Sequence, residues 1–162
     1  MSETLLAYIA GFLDGDGCIM AQLVKRKGYV YGYQIRVSIV FYQKETKQDF
    51  LEWLKSELKY GYIRIRNDQM AEYTIVGYQP VYDVLTKLHP YLRLKQELAR
   101  KVIDLCLLGI RSQYKRISPK ELLKRAALVD ETAKYNYSKK RTTTRETVKK
   151  FLQENKLIPR ND

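Results

Sequence analysis

Two carboxylates, Asp14 and Asp16, stand between glycines at the end of an apolar run, Ile9-Ala10-Gly11-Phe12-Leu13-Asp14-Gly15-Asp16-Gly17. Carboxylate and backbone oxygens at such a turn suit a hard divalent cation, and the stretch admits three readings. One is an ordinary Asp-Gly turn closing a buried helix. A second is a calcium loop, which wants an oxygen ligand at Cys18 and a glutamate at Lys25, and neither is present. The third uses all nine residues: small side chains at Ala10, Gly11 and Gly15 let another helix backbone approach closely, and the acid at the helix end meets a cation. Other chemistries lack parts. The one histidine, His89, precedes Pro90 and has no second His to join it in a histidine metal site. Cys18 and Cys106 lie far apart without C-x-x-C spacing, so a zinc knuckle and a disulfide scaffold are excluded.

The charge balance says what such a cation site would act on. The 162 residues hold 30 Lys and Arg against 18 Asp and Glu, a net charge of +12. That excess points to a polyanion, most often nucleic acid, because each neutralised phosphate releases condensed counterions. Residues 1–24 carry Glu3, Asp14 and Asp16 and no Lys or Arg, whereas 25–48 carry Lys25, Arg26, Lys27, Arg36, Lys44 and Lys47 against Glu45. An acidic spot beside a basic stretch suits a metal-dependent phosphodiesterase; a simple binder has no use for the carboxylates. No apolar run approaches a membrane span, which leads us to expect a soluble, intracellular protein with no membrane partner.

Hydrophobic spacing supplies the elements that would position these groups. Residues 4–13 predict a helix apolar nearly all round, ended by the 14–17 turn. Residues 18–25 and 33–42 alternate as strands, with Ile19, Ala21, Leu23, Ile35, Val37, Ile39 and Phe41 toward a core. A helix over 46–58, strands near 61–66 and 71–77 around Asn67-Asp68, and a helix opened by Pro80 complete an α-β-β-α-β-β-α unit. A Leu-rich helix over 95–108 stopping near Gly109, a helix from Ser118 to about 134, and a last one capped by Thr143 and Glu146 follow. We expect one domain over 1–162, with a core at about 4–95 and a helical extension at about 96–155. The strand faces away from the core offer Gln22, Gln34, Arg36, Arg64, Arg66, Glu72 and Thr74, with Arg26 in the intervening loop. Arg reads guanine, Gln reads adenine and Glu accepts from cytosine in the major groove, as a β-ribbon reader would. Lys139, Lys140 and Arg141 form a basic run suited to phosphates.

The nonapeptide, as IAGFLDGDG, resembles the motif of the LAGLIDADG homing endonucleases, specifically the single-motif, intron-encoded subgroup. The likeness continues through Tyr33-Gln34-Ile35, Gln43-Lys44, Gly61-Tyr62-Ile63-Arg64, Pro90-Tyr91-Leu92-Arg93-Leu94-Lys95-Gln96 and Ser138-Lys139-Lys140-Arg141-Thr142-Thr143, covering roughly residues 5–150. The resemblance implies an α+β fold of αββαββα order, with a saddle-shaped antiparallel sheet and C-terminal helices. It implies that Asp16 is the acidic metal ligand, with the Gly15 carbonyl beside it. Gln43 falls where the family contacts the water network, Lys95 where a basic residue approaches the site, and Lys47 where the subgroup often has Arg. One Asp and one carbonyl are too few for a metal cluster, so the single motif implies a homodimer meeting through Tyr8, Gly11, Phe12 and Gly15. The implied activity is site-specific, Mg²⁺-dependent cleavage of double-stranded DNA at a long pseudo-palindromic site, leaving short 3′ overhangs. Two or three ions would be shared across the dimer, with Mn²⁺ as a substitute. A maturase binding intron RNA and a non-cleaving DNA-binding regulator are the alternatives on the same fold.

Overall fold

The computed structural model describes residues 1–113, 115–136 and 141–160. The chain runs α1 (Glu3–Asp16), β1 (Gly17–Lys25), β2 (Tyr33–Lys44), a 3-10 turn (Glu45–Lys47), α2 (Gln48–Leu58), β3 (Tyr62–Ile65), β4 (Met70–Val76) and α3 (Tyr78–Leu88). A 3-10 turn (His89–Tyr91), α4 (Gln96–Arg111), α5 (Pro119–Thr132), a third 3-10 turn (Ala133–Tyr135) and α6 (Arg145–Glu154) complete it. This is the α+β order expected. The four strands form one antiparallel sheet in the order β1-β2-β4-β3.

Strand alternation decides which side of the sheet meets the helices. Ile19, Ala21, Leu23, Ile35, Val37, Ile39, Phe41, Ala71, Tyr73 and Ile75 share one face and are buried in a core with Leu51, Leu54, Val81, Leu85 and Leu88. The register Cys18↔Val40↔Thr74↔Tyr62 sets the opposite face, so Gln22, Arg36, Glu72 and Arg64 all lie on it.

Three local expectations need correction. α1 does not end in a turn at Asp14 but continues through Asp16. Asp and Gly are poor helix formers, and contacts from residues 93–95 hold the last turn instead. Gly109 does not stop α4. A Cβ there would lie 2.3 Å from the Tyr78 ring, so the glycine admits an aromatic ring against the last turn of a helix that runs on to Arg111. The cap of α6 is Thr144 paired with Thr147, one residue beyond the expected Thr143 and Glu146. The Arg145 N–H is held at 2.9 Å by Asp130 Oδ2, which fixes where that helix begins.

Candidate functional site

α1 is apolar on nearly every side yet buries only Ile9, Ala10 and Leu13. Thr4, Tyr8, Gly11 and Gly15 are exposed, and their spacing puts them on one side of the helix. A Cβ added at Gly11 or Gly15 would meet nothing within 4 Å. Of the four residues expected to face a partner, Tyr8, Gly11 and Gly15 are open. Phe12 turns inward, 5.8 Å from the Phe41 ring and 4.9 Å from the Phe50 ring, and packs within its own chain.

The C-terminal end of α1 is where oxygen ligands collect. The last four carbonyls of a helix lack intrahelical partners, and their dipoles make that end negative. The Leu13 carbonyl accepts from the Gly17 N–H and from Lys95 Nζ at 3.0 Å, and Lys95 Nζ also donates to the Asp14 carbonyl. The Gly15 and Asp16 carbonyls remain, beside the exposed Asp16 carboxylate, which makes no hydrogen bond or ion pair among the described residues. A carboxylate and backbone carbonyls at a negative helix end fit a hard divalent cation. Among the described residues, no three His, Cys, Asp or Glu side chains converge on one point.

Beside this end lies a cavity of about 720 Å³, lined by Asp14, Gly15, Gly17, Cys18, Met20, Gln22, Lys95, Asn136, Arg141 and Thr142. Five of its lining residues belong to β1, an edge strand of the sheet. Burial pushes the Cys18 thiol up, with nearby Lys95 opposing. Gln43 and Lys47 are not in its lining. The register Gly17↔Phe41 puts Gln43, two residues further along β2, at the same end of the sheet as Asp16. Lys47 is exposed in the following 3-10 turn.

The expected reading face is partly pre-arranged. Gln22 is exposed opposite Arg36, and Arg36 makes no ion pair among the described residues. Arg26 Nε donates to Gln34 Oε1 at 3.2 Å. Glu72, whose side chain is only 12% exposed, accepts Arg64 at 2.7 Å and lies 3.8 Å from Arg66, which also pairs with Asp68 at 3.0 Å. Glu72 therefore organises the two arginines instead of presenting its carboxylate. Thr74 keeps the right face but is 4% exposed at the sheet centre, too deep to touch a groove directly. Arg141 donates to the Val129 carbonyl at 2.8 Å and to Thr132 Oγ1 at 3.1 Å, closing the end of α5 and engaging two of its N–H donors within the chain. Lys139 and Lys140 lie outside the described residues. The sequence gives Asp14 no role of its own; its only signal there is that the motif has two acids and the expected chemistry uses one.

The sequence family described as “LAGLIDADG endonuclease” matches residues 9–108. The DNA endonuclease I-CvuI of Chlorella vulgaris is 38% identical over 146 residues, covering 90% of this chain and 88% of the relative. The DNA endonuclease I-CreI of Chlamydomonas reinhardtii is 34% identical over 151 residues, covering 93% and 90%. The crystal structure of the homing endonuclease I-CvuI, with the I-CreI target and 2 mM Mg and the DNA not cleaved, superposes with a TM-score of 0.88 at 35% identity. It covers 95% of this chain and 96% of that one. A second I-CvuI structure, with its own target and 2 mM Ca, has the same TM-score.

Proposed function

The chain belongs to the LAGLIDADG endonuclease family, and from that premise we propose that it is a homing endonuclease acting as a homodimer on a long double-stranded DNA site. The observation that carries this reading is the exposed Asp16 carboxylate at the negative end of α1, unpaired among the described residues, next to an open small-residue stripe. Two copies meeting along Tyr8, Gly11 and Gly15 would bring two such ends together. Asp16 and the Gly15 carbonyl would then hold Mg²⁺, with Mn²⁺ as a substitute and two or three ions shared across the dimer. A divalent cation there supplies Lewis acidity, making water a better nucleophile and offsetting charge on the departing 3′ oxygen.

The chain's own groups do the rest. Lys95 neutralises the Leu13 and Asp14 carbonyls and leaves those of Gly15 and Asp16 to the site. Gln43 orients water at the same end of the sheet. Lys47 contributes a point charge toward phosphate, without the fork that Arg would offer. Gln22, Arg26, Gln34, Arg36, Arg64 and Arg66 read the major groove, the two last held in orientation by Glu72. Lys139 and Lys140 hold phosphates.

A plasmid library with a randomised insert, incubated with the protein and Mg²⁺, tests the reading. Linear products with short 3′ overhangs that share one pseudo-palindromic sequence are expected, and chelation or Asp16→Asn should abolish them while binding persists. Binding to a shared sequence without any cutting would replace this reading with that of a non-cleaving DNA-binding regulator.

A further inference from the structure

Asp14 has no part in the chemistry above, yet it is the more heavily engaged of the two aspartates. Its carboxylate accepts three consecutive backbone N–H groups: Arg93 at 2.7 Å and Leu94 at 3.2 Å through Oδ2, and Lys95 at 2.9 Å through Oδ1. The Lys95 side chain returns to the end of α1, where Nζ donates to the Leu13 and Asp14 carbonyls. Each element thus places a charge where the other's helix dipole favours it. An anion sits against the N–H groups that lead into α4, and a cation against the carbonyls that end α1. Arg93 and Leu94 are exposed, Leu94 by 76%, so their side chains do not anchor this segment. Its fixed points are the buried Leu92 and the Asp14 carboxylate.

We propose that Asp14 is a positioning residue for phosphodiester cleavage: it clasps the Arg93–Lys95 segment to the end of α1 and thereby fixes Lys95 and Asp16 as one unit. The proposal rests on the endonuclease reading. The two acids of the motif divide the work, Asp16 facing outward with free oxygens and Asp14 facing inward with both oxygens engaged. Without Asp14, three N–H groups lose their acceptor, the segment loosens, and Lys95 no longer returns to one place on the helix end. The DNA-reading face of the sheet contains none of these contacts.

Asp14→Ala and Asp14→Asn, alone and in a Lys95→Met background, test this with three readouts. On a site that the wild type cuts, Asp14→Ala should bind within about threefold of wild type, while its single-turnover cleavage rate falls roughly 100-fold, as expected for misplaced reacting groups. Asp14→Asn keeps one acceptor oxygen and should fall by only about tenfold. In the Lys95→Met background, Asp14→Ala should add less than about threefold, because two residues acting through one contact are not additive. Amide hydrogen exchange at Arg93, Leu94 and Lys95, measured on the chain alone, should quicken in both variants; unchanged exchange overturns the clasp whatever cleavage does. Wild-type cleavage by Asp14→Ala, full additivity with Lys95→Met, or equal losses in binding and cleavage each overturn the positioning role. If Asp14→Ala does not fold, the same comparisons on Asp14→Asn decide. A wild type that cuts no site removes the endonuclease reading itself, whereas a wild type that cuts no faster than Asp14→Ala removes only this proposal.

Discussion

Gly17→Ala is a one-methyl change whose effect follows from the coordinates. Gly17 joins the last residue of α1 to the first strand with φ −108° and ψ 171°, an extended conformation that alanine adopts freely. Any effect is therefore steric. The new Cβ would lie 2.5 Å from Leu13 Cδ1 and 2.9 Å from both Leu13 Cα and the Leu13 carbonyl oxygen. Leu13 is 0% exposed, so its side chain cannot swing clear, and the two backbone contacts cannot be relieved by any rotamer. Overpacking of this kind costs about 1–3 kcal/mol. At about 2–4 °C per kcal/mol for a chain of this size, the melting temperature should drop by roughly 2–12 °C. Relief requires the last turn of α1 to move, and Asp16 moves with it, so cleavage should fall by about 10–100-fold even below the new melting point. Gly15→Ala is the control. Nothing lies within 4 Å of its Cβ, so the chain's own packing has no objection, and any loss must come from a partner. Calorimetry on both variants, with cleavage at a temperature where both are folded, checks this. A Gly17→Ala protein that melts within a degree of wild type refutes the steric reasoning.

Arg141→Ala should destabilise the fold by about 1–3 kcal/mol, since it removes a charged donor from the Val129 carbonyl and Thr132. It should leave the salt slope of DNA binding unchanged; a slope lowered by about one would return Arg141 to the phosphate contacts. Arg36→Ala should weaken binding to the preferred site by about 1–3 kcal/mol and binding to random DNA far less, as competition titrations would show. Burial pushes the Cys106 thiol up to about 12, so at pH 8 it stays protonated in the native chain. Alkylation should spare Cys106 until denaturant is added, and rapid native labelling there, read by mass spectrometry, would contradict the burial.

Much of this was legible in the sequence because each local signal agreed with the fold. Alternation in 18–25 and 33–42 set the strand phase, and Gln22 and Arg36 lie on the outer face accordingly. The open side of α1 was legible as small residues four apart. What the sequence hid were contacts made between distant segments. Asp14 looks like a turn residue until the N–H groups of Arg93 to Lys95 arrive from across the chain. Gly109 looks like a helix stop until the Tyr78 ring occupies its space. Arg141 reads as one more charge in a basic run, yet it closes the end of α5. Glu72 and Thr74 have the right parity for recognition but the wrong depth, which alternation does not report.

A homodimeric endonuclease of this design needs Asp16 from two copies of the chain for each cut, and subunit mixing tests that requirement. Wild-type and Asp16→Asn chains, distinguished by tags and refolded together at equal amounts, should exchange at random across an isologous interface. If the site is shared, only pure wild-type dimers make double-strand breaks, and activity should fall to about a quarter of that of the same total amount of wild type. Tag-purified mixed dimers should cut neither strand efficiently. Mixed dimers that nick one strand efficiently, or a wild-type protein that sediments as a monomer on its site and still breaks both strands, would contradict the shared site.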